Sequence, residues 1–265
     1  FDNDGKIRGV VFEQALRCGM SWDLSESIAA RAMCHADNAY HIKNMRIISH
    51  RCRTNTQSNT AFRGFGGPQG MVGIERVIDA IAHHVGLDPL VVRQRNFYPH
   101  KQASDYGMTP YGQPVEDCVI QDIVDTLVKT SDYVKRRKAV EIFNKANRYV
   151  KRGIALMPVK FGISFNSSFL NQAGALVHVY NDGSVHLNHG GTEMGQGLYT
   201  KVAQIVAHAF SVPLETVKIT ATTTGKVPNT SATAASSGSD LNGMAALCAA
   251  NTIKERMQDF LAEQS

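Results

Sequence analysis

Phe62-Arg63-Gly64-Phe65-Gly66-Gly67-Pro68-Gln69 is a glycine-rich loop that runs straight into a stretch with Met71, Ile74, Ile78, Ile81 and Val85 at helical spacing. A second loop of the same kind, Gly190-Gly191-Thr192-Glu193-Met194-Gly195-Gln196-Gly197, opens another helical pattern carried by Val202, Ile205, Val206 and Ala209. Glycines allow positive φ and close approach, and a helix start leaves N–H groups unpaired in a favourable dipole. Both loops are therefore expected to aim backbone amides at an anionic group. Neither carries the glycine spacing of a dinucleotide loop, and neither ends in Gly-Lys-Ser/Thr, so the common nucleotide readings fail.

Outward from the first loop, Ile7 to Leu16 and Arg46 to Thr54 read as strands, and a helix is expected from Asp23, with Asp23 and Glu26 as a capping box. Pro68 suits a first helical turn, Gly86 a helix end, and Asp88-Pro89 the start of a short helix through Arg95. Residues 101–114, rich in Tyr, Pro, Gly and polar side chains, are the expected linker between a first domain, 1–100, and a second, 115–265. Val119, Ile123 and Leu127 mark a helix, and Ser131 is the expected cap of the next, reaching about Asn147. Ile154 to Phe165 reads as strand-like, and Asn181-Asp182-Gly183 between two alternating runs is a hairpin signal. Val217 to Thr220 is a short strand. The Thr222 to Ser239 stretch, placed before a long helix from about Asp240, reads as a third ligand-facing loop. Mixed helices and antiparallel strands without regular alternation imply α+β.

With 265 residues, 43% hydrophobic and 19% charged, the chain has a globular composition with room for two domains. No apolar run reaches the roughly 18 residues that span a bilayer, so no membrane partner is expected and a cytoplasmic enzyme is. Net charge is +5, and Lys135-Arg136-Arg137-Lys138 reads as a solvated helix face rather than a nucleic-acid site. The five cysteines are odd in number with no Cys-x-x-Cys pair, which argues against disulfides, zinc or an iron–sulfur cluster held by this chain alone. No serine, histidine and acid pair up as a self-sufficient catalyst. The equipment is for binding instead: Gln69, Thr192, Gln196, Asn229 and Ser236 are uncharged hydrogen-bonders set among small residues, as a large polar cofactor requires.

Four segments carry a resemblance: Thr60 to Gly70, Phe169-Leu170-Asn171-Gln172-Ala173-Gly174-Ala175, Gly190 to Gly197, and Val227 to Ser236. In their order along nearly the whole chain they resemble the molybdenum-binding part of the xanthine dehydrogenase family. The resemblance implies two α+β domains that bind molybdenum-molybdopterin and oxidise hypoxanthine to xanthine and xanthine to urate with a water-derived oxygen. It implies that Phe65 and Phe165 clamp a flat purine substrate, that Arg31 pairs with its oxygen, and that Ala234 and Ala235 lie beside it. Arg63, Gly195, Gln196 and Ser236 would hold the cofactor, with no side chain of this chain on the metal. It further implies iron–sulfur and FAD domains or subunits as partners, in a hetero- or homo-oligomer.

The general-base glutamate of the family falls beyond residue 265, and a second glutamate and a cofactor loop fall before Phe1. The chain is therefore expected to be a piece of a longer protein, inactive alone. Asn166 stands where xanthine enzymes carry threonine. Other substrates (aldehydes, other N-heterocycles) and a non-catalytic module with the family fold are the alternatives.

Overall fold

The computed structural model describes residues 1–104, 107–226 and 230–264, and divides into two compact units, Phe1–Gly162 and Ile163–Ser265. The first unit opens with β1 (Val10–Gly19), α1 (Ser25–Cys34) and β2 (Met45–Arg53). The strands pair in parallel, from Val10 opposite Met45 to Arg17 opposite Cys52. A parallel pair needs a crossover connection, and α1 supplies it; the antiparallel pairing expected from sequence belongs to the second unit.

Helix α2 (Gly67–Val85) starts as its sequence demands, with Gly66 left-handed at φ 99° and Pro68 in the first turn, and ends at Gly86, φ 69°. Its Ile74, Ile78 and Ile81 are buried with Tyr40, Leu90 and Val92 in one core. At Gly70 the helix touches α1 so closely that a Cβ would lie 2.1 Å from the Ala32 carbonyl oxygen, which fixes the spacing of the two helices. Asp88 caps α3 (Pro89–Asn96) by accepting the Leu90 N–H.

The capping box at α1 does not form. Asp23 adopts φ 43°, and its carboxylate takes the Leu24 N–H and the Thr60 hydroxyl, which ties the helix entry to the chain just before the first glycine loop. Nor does Ser131 cap the helix after it: its hydroxyl donates back to Leu127, and α5 (Tyr133–Ala146) follows α4 (Ile120–Thr130) through Asp132 at φ 51°.

The structure places the division at Gly162, later than residues 101–114, because Val124 of α4 and Tyr133 of α5 join the first core and Asp88 receives both Tyr133 and Arg137. Of the basic run, Arg137 is thus held by Asp88, while Lys135, Arg136 and Lys138 are exposed.

Residues 154–162 form no strand. Their backbone groups are satisfied by side chains instead of a ladder: Asn38 donates to the Pro158 carbonyl at 3.0 Å and accepts from Lys160 N–H at 3.1 Å, and Lys160 Nζ lies 3.1 Å from the buried Asp37 carboxylate. Beneath this strap, Glu75 receives Arg93 through two N–H groups at 2.9 and 2.8 Å, Tyr40 at 2.6 Å and Asn38 at 2.8 Å.

The second unit is a three-stranded sheet in the order β3 (Ala175–Val179), β4 (Val185–His189), β5 (Val217–Ile219). The Asp-Gly turn makes β3 and β4 an antiparallel hairpin, and α6 (Leu198–Phe210) crosses over to bring β5 parallel to β4. Val202 and Val206 of α6, Leu187 of β4 and Ala246 of α7 (Gly238–Gln264) share its core.

Candidate cofactor and substrate site

In the first unit the loop before α2 passes through three successive positive φ values, 97°, 52° and 99° at Gly64, Phe65 and Gly66. Phe65 is buried although it sits in a conformation bulky residues avoid, a local strain of the kind that persists at functional sites. Phe62 and Arg63 project to solvent. A Cβ at Gly66 would meet the Ile28 carbonyl of α1 at 2.2 Å, so the loop rests one turn before Arg31. Arg31 is 3% exposed; its Nη1 donates to the Gly162 carbonyl and its guanidinium lies 5.5 Å from the Phe161 ring centre. Burial holds its pKa below the ordinary arginine value.

In the second unit the structure brings Phe165 and the Ala234–Ala235 pair together. Ser164 N–H donates to the Ala235 carbonyl at 2.8 Å, while Asn171 clasps Phe165 by accepting its N–H and donating to its carbonyl, both at 2.7 Å. Ala235 and Ser236 are both left-handed, φ 55° and 59°, with Ala235 buried and Ser236 exposed. Thr192 N–H donates to Thr233 at 2.9 Å, tying the second glycine loop to the Thr/Ser/Ala loop. Asn229 lies outside the described residues.

The amides of that glycine loop point at an anion, and the anion is Glu193. Its Oε1 accepts from Gly195 at 2.9 Å and Gly197 at 3.0 Å, and its Oε2 from Tyr199 at 3.0 Å. The bond from Tyr199, supported by those from Gly197 and Gly195, holds the carboxyl below the usual glutamate range. Gln196, expected on the cofactor, bonds within the loop: its amide donates to Thr192 O at 2.9 Å and accepts from Met194 N–H at 2.5 Å. Sequence reasoning gave Glu193 and Asn171 no role; an acid two residues before Gly-x-Gly was the available signal for the first. Because the native pKa is lowered, Glu193 keeps its three bonds as pH falls through the unfolded-state range and loses them only as it passes the lower native value. Hydrogen exchange at Gly195, Gly197 and Tyr199 is expected to stay slow over that interval, and to become fast at all pH values in Glu193→Ala.

Among the described residues, three buried polar atoms beside this loop have no partner: His189 Nε2, Thr230 Oγ1 and Asn242 Oδ1. They belong together, since a Cβ on Gly190 would lie 2.5 Å from Thr230 Oγ1 and one on Gly191 2.8 Å from Asn242 Nδ2. His189 Nδ1 accepts from Gly191 N–H at 3.1 Å, and burial keeps the ring's pKa low, so Nε2 carries the proton. A buried donor or acceptor left unmet costs about 1–3 kcal/mol. One donor, one hydroxyl and one amide oxygen, all uncharged, fit a polar ligand edge that itself both donates and accepts, as a pterin does. Among the described residues no three His, Cys, Asp or Glu side chains converge as a metal site, so the fit is to the organic part of such a cofactor.

Two family models match, both described as molybdopterin cofactor-binding domain, over residues 1–97 and 126–265. The chain is 49% identical to the xanthine dehydrogenase of Dictyostelium discoideum over 258 residues and 47% identical to xanthine dehydrogenase 1 of Arabidopsis thaliana over 265, covering 97% and 100% of itself. It spans 19% of the length of each of these relatives. Quinoline 2-oxidoreductase from Pseudomonas putida 86 superposes with a TM-score of 0.80 at 23% identity, over 97% of this chain and 33% of that one. The aldehyde oxidoreductase from Desulfovibrio desulfuricans does so at 0.76 and 23%, over 96% and 27%. On the match across both stretches, the chain belongs to the molybdopterin cofactor-binding domain family, in the form carried by the xanthine dehydrogenases.

Proposed function

We propose that this chain is the cofactor- and substrate-binding region of a cytoplasmic molybdenum hydroxylase that oxidises hypoxanthine and xanthine. The observation that carries the purine reading is Arg31, a buried cation next to a loop that presents Phe65, on a chain whose relatives are xanthine dehydrogenases. A fixed guanidinium fork pairs with a ring oxygen and stabilises negative charge developing there, and an aldehyde gains little from it. Phe65 and Phe165 clamp the flat ring by edge and face contacts, and the small side chains of Ala234 and Ala235 leave it room.

Molybdopterin supplies the two-electron redox chemistry. This chain's part is to hold it: through the backbone at Arg63 and Gly195, through Ser236 and the amide of Gln196, and through the unmet groups of His189, Thr230 and Asn242. No residue here is assigned as the general base. Iron–sulfur and FAD domains or subunits of the whole protein take the electrons onward, in a hetero- or homo-oligomer. No nucleic acid or membrane takes part.

Elemental mass spectrometry on the full-length protein from its native cell tests the reading. Molybdenum near one per chain, with iron in the same sample and xanthine turnover, is the expected result. Molybdenum-bearing protein that turns over only aldehydes would transfer it to that substrate class, and protein free of both metals would make it a non-catalytic module.

A further inference from the structure

We propose that His35 is a positioning residue for Arg31: its ring holds the Gly162 peptide, and the carbonyl of Gly162 fixes the arginine guanidinium. The proposal rests on the reading that Arg31 meets the purine.

The geometry is a closed circuit within the first unit. His35 caps the C-terminal end of α1, one turn after Arg31, and both are 3% exposed. Gly162 N–H donates to His35 Nε2 at 2.9 Å. An amide nitrogen can only donate, so Nε2 offers its lone pair and the ring proton sits on Nδ1, 2.8 Å from the Arg31 carbonyl that accepts it. Gly162 then accepts from Arg31 Nη1. Phe161 closes the arrangement, its ring centre 4.9 Å from that of His35 and 5.5 Å from the Arg31 guanidinium carbon. One ring, in one tautomer and without charge, thus sets where the strap's last peptide lies and where the arginine head is tethered.

Protonation would break the circuit at a defined bond. An imidazolium carries N–H on both nitrogens, so Nε2 and Gly162 N–H would face each other as two donors. The new charge would also sit among cations: Arg31 on α1 and Lys160 on the strap, against the carboxylate of Asp37, with Cys34 and Tyr111 the other titratable groups beside Arg31. Burial first, then Arg31 and Lys160, hold the His35 pKa below its ordinary value, opposed by the bond to the Arg31 carbonyl. A histidine depressed in this way contributes fully above the unfolded value of about 6.5 and loses its contribution as pH falls through the native one. The tether is therefore intact at neutral pH and released on acidification.

The test uses the full-length, molybdenum-loaded enzyme with xanthine as probe. His35→Leu removes the acceptor; His35→Gln keeps an oxygen where Nε2 stood but cannot titrate. For His35→Leu, kcat/KM falls about ten- to a hundredfold, as for a reacting group misplaced by an ångström, with molybdenum per chain unchanged and faster amide exchange at Gly162. His35→Gln restores slow exchange and most of the turnover, and its protection at Gly162 no longer falls on acidification as that of wild type does. Unchanged Gly162 exchange in His35→Leu, or protection at Gly162 that still falls on acidification in His35→Gln, overturns the proposal. So does turnover lost only in proportion to molybdenum, which would make His35 a folding residue. Arg31→Met, run in parallel, separates the two levels. If it spares xanthine turnover while Gly162 exchange responds to His35, the tether stands and the substrate reading of Arg31 fails.

Discussion

Arg93→Met destabilises the first unit by about 3–5 kcal/mol, the cost of leaving a buried charge without its partner. At roughly 2–4 °C per kcal/mol for a unit of this size, the unfolding midpoint falls by about 6–20 °C. The size follows from the surroundings. Arg93 is 1% exposed and its fork delivers two N–H groups to one oxygen of Glu75, while Tyr40 and Asn38 already donate to the other. Removing the guanidinium strands a carboxylate that no water can reach easily and that two neutral donors cannot neutralise. Methionine keeps much of the volume, so the loss reports charge rather than a cavity. Adding Glu75→Leu is expected to recover part of the loss by removing the stranded charge, short of full recovery because Tyr40 and Asn38 then lose their acceptor. Thermal or urea unfolding of the single and double variants measures both outcomes; a midpoint unchanged in Arg93→Met would mean that Tyr40 and Asn38 alone suffice to hold the Glu75 carboxylate.

Arg31→Met lowers kcat/KM for xanthine in the full-length enzyme by about 10- to 150-fold, the worth of one hydrogen bond from a charged donor at about 1.5–3 kcal/mol. An aromatic aldehyde, which offers no second ring oxygen to the guanidinium, should lose far less. Steady-state kinetics on both substrates checks this, and an equal loss on the aldehyde would move Arg31 from substrate orientation to support of the surrounding fold.

The elements of this fold were legible wherever local pattern and local chemistry agree. The isoleucines of α2 repeat at helical spacing between a proline that suits the start and a glycine that suits the end, and the Asp-Gly turn stands between two alternating runs. What could not be read depends on contacts distant in sequence. Residues 154–162 have strand composition but spend their backbone groups on Asn38 and His35, over 100 residues away. Asp23 has the right spacing for a capping box, yet Thr60 and its own neighbour claim its carboxylate. The parallel pairing of β1 and β2 follows from the crossover through α1, which no single strand's pattern reveals. At the site, motif context singled out Arg31, Phe65, Phe165 and the alanine pair. Burial of Arg31 and Phe65, and the clasp of Asn171 on Phe165, became visible only in three dimensions. Glu193 was passed over because an acid among glycines looks solvated until its carboxylate is seen to close on the amides ahead of it.

The strap carries a consequence for how the protein is made. Its ties to Asn38, Asp37 and His35 span 120, 123 and 127 residues. At synthesis rates of roughly 5–20 residues per second, on the order of 10 s separates the appearance of the α1 turn from that of its covering segment. During that interval the buried acid and amide at the end of α1 wait for partners not yet translated, while the isoleucine face of α2 can already pack. The contacts of Tyr40 with the α2 isoleucines are therefore available before the strap, whose Leu156 completes the same core, and the peptide that tethers Arg31 is among the last pieces of the unit to arrive.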